Sequence, residues 1–217
     1  MTTLTVWLID DDSAIRESFT VLLQTMGWPV AAFASAGEFI ALQQSRGELH
    51  GCILLDIRMP GKTGLTLLDE LQQQSVLLPV ILMTGHGNIE TCRRAFKSGA
   101  FEFLTKPVDA GLLIETVSAA FSQFEKRYHL SQQQRELAGK FSLLSEREAE
   151  VMQQIVAGLA NKEIAQALGL SPRTVEAHRA NIFSKLDISS LAQLVKEVEM
   201  LNFLRQNQVV LPGAHRN

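Results

Sequence analysis

The chain contains 217 residues, of which 46% are hydrophobic and 20% charged, and its formal net charge is −3. This balance is typical of a globular protein, and the length leaves room for one large domain or two small ones. No run approaches the roughly 20 apolar residues of a membrane span, and the N-terminus MTTLTVWLIDDD lacks the basic region of a signal peptide. Cys52 and Cys92 belong to no metal-spaced cluster, so we expect a cytoplasmic protein with reduced cysteines.

The charge is unevenly distributed along the chain. Residues 1–122 carry 8 Lys and Arg against 13 Asp and Glu, a balance of −5, whereas residues 123–217 carry 12 against 10, a balance of +2. This asymmetry suggests different partners for the two parts. A surplus of two positive charges is weak support for nucleic-acid binding and does not establish it.

Short apolar runs alternate with amphipathic stretches in the first part of the sequence. The predicted strands are Leu4–Ile9, Val30–Phe33, Cys52–Leu55, Val80–Met83 and Phe101–Leu104. The predicted helices are Ala14–Met26, Ala36–Gln44, Gly64–Gln74 and Ile89–Lys97, with a fifth that begins near Asp109. Strict alternation of strand and helix predicts an α/β fold, a doubly wound parallel sheet of five strands with helices on both faces.

The fifth predicted helix continues beyond the sheet region. Apolar residues keep helical spacing from Leu112 to Leu130, after which the composition turns polar in SQQQRELAGK. We therefore expect a first domain over residues 1–122, with a helical extension and linker over residues 123–140.

The remaining sequence has helical patterns and no strand-like run. Its helix start signals are a Ser145–Glu148 capping box, Asn161 before a helix that stops at Gly169, the pair Ser171-Pro172, and Ser190. These signals predict a second, smaller all-α domain over residues 141–204, followed by a flexible tail over residues 205–217.

Acidic residues follow two strands that a doubly wound sheet places side by side. Asp10, Asp11 and Asp12 end the first strand and Asp56 ends the third. Crowded carboxylates raise each other's pKa unless a cation neutralises them, and oxygen ligands with open water positions suit Mg²⁺. The alternative is that Asp12 or Ser13 caps the next helix and the other acids are solvated. Three acids together with Asp56 favour the metal site.

Two further strand ends supply a hydroxyl and an amine. Thr84 and Gly85 end the fourth strand, and Lys106-Pro107 follows the fifth. An X-Pro bond can be cis in a tight turn, and a cis bond here would aim the lysine inward. Acids, a hydroxyl and an amine at one sheet edge are what a phosphorylated carboxylate needs.

The strings LIDDDSAIR, LLDIRMPGKTGL, LMTGHG and FLTKP resemble those of bacterial response-regulator receiver domains, over residues 1 to about 122. The resemblance implies a flavodoxin-like fold in which Asp56 accepts a phosphoryl group. It further implies Mg²⁺ ligands and switch residues: Asp10, Asp11, Asp56 and the carbonyl of Arg58 for the metal, and Thr84, Lys106 and Phe103 for the switch. It gives Asp12 no role, and we expect that residue to cap a helix.

The penultimate predicted helix has two contrasting faces. Val175, Arg179, Ile182 and Leu186 fall on one face at helical spacing. The opposite face centres on Ala177 and Ala180, which are small enough for close approach, and polar residues around them can reach base edges. The alternative is the solvated face of an ordinary small bundle.

The span from Leu143 to Leu186 resembles a LuxR/FixJ-type (NarL/FixJ) helix-turn-helix, covering about residues 141–204, with residues 172–186 as recognition helix. By that resemblance the residues nearest the bases are Glu176, Ala177, Arg179 and Ala180. Expected phosphate contacts are Asn161, Lys162, Arg173, Thr174 and Lys185. The helical spacing instead places Arg179 at the rim of the groove.

The two resemblances together imply a two-component transcription regulator. Its implied partners are a sensor histidine kinase, double-stranded promoter DNA, RNA polymerase and, on phosphorylation, a second copy of the chain. Candidate dimer contacts are Ile89, Arg93 and Phe96. We expect the protein not to be a turnover enzyme, although it can slowly remove its own phosphoryl group. The alternatives are a phosphorylation-independent DNA binder and an Asp-nucleophile phosphatase; activation by release of a masked DNA face also stays open beside dimerisation.

Overall fold

The computed structural model describes residues 3–85 and 89–206, and it divides into two compact units. The described part of the first unit ends at Tyr128, and the second unit begins at His129. No helix in these ranges is long and apolar enough to cross a membrane.

Strands and helices alternate along the first unit, as the sequence predicted. The strands are β1 (Thr5–Ile9), β2 (Val30–Phe33), β3 (Gly51–Asp56), β4 (Val80–Thr84) and β5 (Glu102–Thr105). The helices are α1 (Ser13–Thr25), α2 (Ala36–Arg46), α3 (Gly64–Gln73), α4 (Ile89–Lys97) and α5 (Ala110–Phe141). Helix α5 is unbroken to Phe141, so residues 123–140 are helical throughout.

The five strands form one parallel sheet in the order β2-β1-β3-β4-β5. Alternate residues of β1 point to opposite faces: Val6 and Leu8 join a core cluster with α1 and α5, whereas Trp7 and Ile9 join one with α2 and α3. All six residues of β3 are buried. Helices therefore cover both faces, which confirms the doubly wound fold.

The second unit contains four further helices that share one apolar core. They are α6 (Glu146–Val156), α7 (Asn161–Leu168), α8 (Pro172–Leu186) and α9 (Leu191–Gln206). The core joins Val151 and Ile155 of α6, Ile164 of α7 and Ile182 of α8, among others. Ser145 and Ser171 cap α6 and α8 as predicted. Residues 207–217, most of the predicted tail, lie outside the described residues.

One predicted helix cap is wrong. The N-cap of α7 is Ala160, with extended backbone angles, and Asn161 is the first helical residue. Ala160 has no side chain that can cap, but its N–H donates to Glu163 Oε2 at 2.7 Å. The Glu163 carboxylate therefore accepts from the backbone N–H at the helix start, where a cap by the Asn161 side chain was predicted. A Glu three residues after the N-cap is the sequence signal for this position.

Candidate functional site

The register of the central strands brings Asp10 and Asp56 to the same level of the sheet edge. Ile9 of β1 pairs with Leu55 of β3, and each acid is the next residue of its chain segment. Asp10 is 0% exposed and Asp56 is 4% exposed. Two carboxylates are thus held out of water at the carboxyl edge, where parallel sheets place their ligand sites.

Lys106 joins these two acids. Its Nζ lies 2.6 Å from Asp10 Oδ2 and 2.7 Å from Asp56 Oδ1. The Lys106-Pro107 peptide bond is cis, and the backbone N–H of Lys106 donates to the carbonyl of Thr84 at 2.8 Å, which fixes the turn after β5 against β4. One ammonium group thereby serves two buried carboxylates.

Burial and the shared lysine both shift the pKa values at this site. Burial raises the pKa of Asp10, and the hydrogen bonds from Lys106 and from the backbone of Asp12 only partly oppose that effect. For Lys106, burial alone would lower the pKa, but hydrogen bonds to Asp10 and Asp56 outweigh it, so the pKa lies above its ordinary value. With two carboxylates and one ammonium group, the ionised site carries surplus negative charge.

The donor set has the chemistry that Mg²⁺ requires, since it consists of oxygen atoms with excess negative charge. Asp10 and Asp56 meet at the site, whereas Asp11 is exposed. Within residues 3–85 and 89–206 no three His, Cys, Asp or Glu side chains converge as a metal site. The structure thus brings together two of the three predicted acidic ligands. Arg58 lies beside them, and its N–H donates to Asp56 Oδ2 at 2.7 Å.

The predicted switch residues lie on the strands next to Asp56. Thr84 is the last residue of β4, one position after Met83, which pairs with Asp56, and it is buried. Phe103 lies on β5, pairs with Leu82, and is half-buried against the core cluster that contains Leu82. Thr84 therefore lies on the strand beside Asp56, one position beyond the residue that pairs with Asp56, and Phe103 lies on the next strand.

The three candidate dimer contacts are all on α4 and all exposed. Ile89 is 89% exposed and Phe96 is 51% exposed, and Arg93 is exposed with them. Ala95 is buried and holds the opposite side of α4 in the core. These exposed apolar side chains are available to a partner, which is the requirement for the predicted contact.

Two residues of this site were not identified from sequence. Arg16 donates through Nη1 to the carbonyls of Asp10 and Asp11, at 2.7 Å and 2.9 Å, and so fixes the acidic turn. Gly64 begins α3 against the backbone of Asp56: a β-carbon on Gly64 would lie 2.2 Å from the Asp56 carbonyl oxygen. Asp12, as expected, caps α1 by accepting from the N–H of Ala14 at 2.9 Å.

In the second unit, α8 presents the predicted reading face to solvent. Val175, Ile182 and Leu186 are buried in the core, whereas Glu176, Ala177 and Ala180 are exposed. Arg179 is half-buried, which agrees with a position at the rim. Helix α7 ends at Gly169 in a left-handed conformation with φ of 65°, a geometry that glycine adopts without strain. Helices α7 and α8, with the turn at Gly169 between them, form a helix-turn-helix.

The five predicted phosphate contacts differ in their surroundings. Lys162 and Arg173 are exposed and Asn161 is half-buried. Thr174 belongs to the cap of α8, with its N–H donating to Ser171 Oγ at 3.1 Å. The Nζ of Lys185 lies 2.6 Å from Glu148 Oε2, so its ammonium group already has a protein partner.

Comparisons with known proteins assign a family to each of the two units. Residues 6–118 match the family described as response regulator receiver domain, and residues 142–198 match the family described as bacterial regulatory proteins, luxR family. The transcriptional regulatory protein FixJ of Azorhizobium caulinodans is 42% identical over 193 residues, which cover 89% of this chain and 90% of that protein.

Two solved structures of response regulators are also similar. The low-resolution structure of response regulator StyR has a TM-score of 0.81 and 40% identity, and the match covers 91% of this chain and 99% of that one. Full-length FixJ from B. japonicum has a TM-score of 0.56 and 35% identity, with 94% and 99% covered. The likenesses extend over both units rather than one alone.

Proposed function

The chain belongs to the family of two-component response regulators that join a receiver domain to a LuxR-type DNA-binding domain, and on this premise we propose that phosphorylation of Asp56 by a sensor histidine kinase controls its binding to promoter DNA. The observation that carries the proposal is the buried set of Asp10, Asp56 and Lys106 at one sheet edge. Two buried acids that share one lysine need a further positive charge before a phosphoryl group can join them, and Mg²⁺ is proposed below for that role.

The chemical step is a phosphoryl transfer. A carboxylate oxygen of Asp56 attacks the phosphorus of a phosphohistidine, the phosphorus–nitrogen bond breaks, and the imidazole leaves. The N–H of Arg58, which donates to Asp56 Oδ2, holds the carboxylate in one orientation. Lys106 already contacts Asp56 Oδ1 and is placed to follow the new phosphoryl oxygens.

We propose that Asp10, Asp11, Asp56 and the carbonyl of Arg58 hold Mg²⁺. When bound, the ion supplies positive charge against the phosphoryl oxygens. Asp10 is fixed for this role by the N–H of Asp12, which donates to its Oδ1 at 3.0 Å. The two carbonyl bonds from Arg16 keep the turn that carries Asp11 in place.

Phosphorylation adds about −1.5 to −2 charges and three acceptor oxygens to the site. We propose that the hydroxyl of Thr84 moves toward these oxygens and that Phe103 turns into the space that Thr84 leaves. The surface of α4 responds, and Ile89 and Phe96, both exposed, bring two receivers together. Two DNA-binding domains then meet half-sites about one or two helical turns apart.

On the DNA side, we propose that α8 enters the major groove. Ala177 and Ala180 allow its backbone to approach the bases, with Glu176 beside them. Lys162 and Arg173, both exposed, contact phosphates and set the register of the domain. RNA polymerase is the expected final partner of such a regulator.

The test is phosphorylation of the full chain by acetyl phosphate with Mg²⁺, followed by intact mass and light scattering. Wild type should gain the mass of one phosphoryl group and shift to dimer, and Asp56→Asn should do neither. Asp12→Asn is the matched control, since asparagine also caps helices well, and it should behave as wild type.

Other outcomes decide between the alternatives. Asp56→Asn that binds promoter DNA as tightly as phosphorylated wild type would support a phosphorylation-independent regulator. Turnover of a small phosphate ester would support a phosphatase. If the phosphorylated protein stays monomeric, the phosphoryl transfer is still supported, but activation would occur by release of a masked DNA-binding face and not by dimerisation.

A further inference from the structure

The first turn of α6 contacts the ends of both helices of the helix-turn-helix. Arg147 donates through Nη2 to the carbonyl of Leu168, the last residue of α7. The neighbouring Glu148 is paired at 2.6 Å with Lys185, which lies in the last turn of α8. Two adjacent side chains of one helix therefore hold the C-terminal ends of two others.

Glu148 is held more firmly than a surface acid. It is 4% exposed, and its Oε2 also accepts from the backbone N–H of Ser145 at 2.8 Å and from the Ser145 hydroxyl at 3.0 Å. The hydrogen bond from Lys185, and then that from the Ser145 backbone, lower the pKa of Glu148 to about 2. The carboxylate is thus ionised at neutral pH, and it also lies favourably at the positive end of α6.

This contact adds to the restraint that the core places on α8. Val175, Ile182 and Leu186 fix the rotation of α8 about its axis through their burial. The Glu148–Lys185 pair in addition ties down the last turn. Residues that read bases need placement within about 0.5 Å, so a shift at one end of α8 displaces Ala177 and Ala180 relative to the bases.

We infer that Arg147 and Glu148 are positioning residues for DNA reading, which act through the end of α7 and through Lys185. We call Arg147, Glu148 and Lys185 the clamp. In this assignment the ammonium group of Lys185 pairs with Glu148 and does not make the contact to a DNA phosphate that the sequence predicted. The inference rests on the proposed DNA-binding function of α8.

The test uses full-length protein with Mg²⁺ and beryllofluoride, and two duplexes. One duplex is selected by wild type from a random-sequence pool, and the other is its scrambled counterpart. Kd is measured for both over a range of salt concentrations. This gives a selectivity ratio between the duplexes and a slope of log affinity against log salt, which counts phosphate contacts.

Lys162→Met provides the matched comparison, because Lys162 is an exposed lysine of α7. It should lower the salt slope by about 0.9, the value for one phosphate contact, and keep the selectivity ratio. Glu148→Gln and Lys185→Met should keep the slope and lower the ratio roughly tenfold, the scale of one lost base contact. Lys185→Arg should restore the ratio.

Three results would overturn the inference. Lys185→Met could lower the slope by about 0.9 at constant ratio, as a phosphate contact does. The clamp variants could match wild type in both readouts, or could lose thermal stability with an unchanged ratio. If Lys185→Met does not fold, Glu148→Gln decides, because its amide oxygen can still accept from Ser145. Failure of the proposed function looks different: wild type itself then enriches no sequence, and the inference falls with it.

Discussion

Two lysines, one in each unit, lie 2.6 Å from the oxygen of a buried carboxylate, yet they serve different purposes. Lys106 in the receiver is shared between Asp10 and Asp56, so negative charge is left over. Lys185 in the DNA-binding domain pairs with one carboxylate among the described residues, that of Glu148, which also accepts two hydrogen bonds from Ser145. The two acids also differ in pKa: that of Asp10 is raised, mainly by burial, whereas that of Glu148 is lowered, mainly by the hydrogen bond from Lys185.

The comparison shows that a buried ion pair by itself does not indicate a reactive site. What differs here is the balance of charge: two carboxylates share Lys106, whereas one carboxylate pairs with Lys185. A balanced pair with further hydrogen bonds fixes geometry, as at Glu148, whereas an unbalanced set leaves negative charge that a cation can neutralise, as at Asp56. Four substitutions test this difference between the two lysines.

The largest effect is expected for Lys106→Met, which leaves two buried carboxylates without their cation. We expect the free energy of unfolding of the receiver to fall by about 3 kcal/mol at pH 7. Urea unfolding followed by tryptophan fluorescence measures it selectively, because Trp7 and Trp28, the only tryptophans of the chain, both lie in the first unit.

Lys62→Met is the control for that variant. Lys62 pairs with Glu70 at 2.6 Å, but both side chains are partly exposed, so its loss should cost less than about 1 kcal/mol. Equal losses in the two variants would show that the shared cation at Asp56 has no special role in stability.

Gly64→Ala should disturb the same site without changing its charge. The added β-carbon would lie 2.2 Å from the Asp56 carbonyl oxygen, and we expect a loss of about 2 kcal/mol by the same fluorescence measurement. Gly37→Ala on α2 is the control, since the added β-carbon would lie 3.8 Å from Ser35 Oγ, an ordinary van der Waals distance. A Gly64→Ala protein as stable as wild type would mean that the start of α3 can retreat from Asp56.

Glu148→Gln tests the balanced pair through pH. The pKa of Glu148 is depressed from 4.5 to about 2, so the stability it contributes is complete above pH 4.5 and is lost as pH falls toward 2. We expect the variant to be about 1.5 kcal/mol less stable at pH 7, with the difference vanishing toward pH 2. Far-UV circular dichroism reports it, once the receiver transition has been assigned by fluorescence.

Glu146→Gln serves as the matched control for this pH profile, because Glu146 is an exposed acid in the same helical turn. Its profile should follow wild type. A constant difference between Glu148→Gln and wild type from pH 7 to pH 2 would contradict the assignment of the pH dependence to Glu148.

The smallest effect, and the opposite sign, is expected for Asp10→Asn. Because burial raises the pKa of Asp10 above 3.8, its ionised form opposes folding at neutral pH. We expect the variant receiver to gain about 1 kcal/mol at pH 7, and the gain should shrink as pH falls toward 3.8 and wild-type Asp10 becomes protonated. A loss of stability at pH 7 would show that the bond to Lys106 outweighs the cost of burial.

Local patterns in the sequence predicted much of this molecule. The strands, the helix starts at Asp12, Ser145 and Ser171, and the gathering of Asp10, Asp56 and Lys106 all follow from periodicity, capping residues and strand order. The comparisons confirm the family. The prediction for Asn161 is wrong because asparagine is a common capping residue type, whereas here the spacing from Ala160 to Glu163 marks the helix start.

Other features depend on contacts that no local pattern specifies. Lys185 and Glu148 are 37 residues apart, and their pairing depends on how α6 packs on α8. The close approach of Gly64 to Asp56 depends on the path of the loop between β3 and α3. Arg16 donates to backbone carbonyls, and because every residue has a carbonyl, the sequence does not show which ones it contacts.

The burial of β3 on both faces has a consequence for how genes of this kind can change. Since successive side chains of a strand face opposite ways, removing one residue from Cys52–Leu55 would turn Asp56 to the other face of the sheet. Exchanges among apolar side chains leave that direction intact. In this stretch, apolar substitutions should therefore accumulate over time, whereas insertions or deletions of a single codon should be removed by selection.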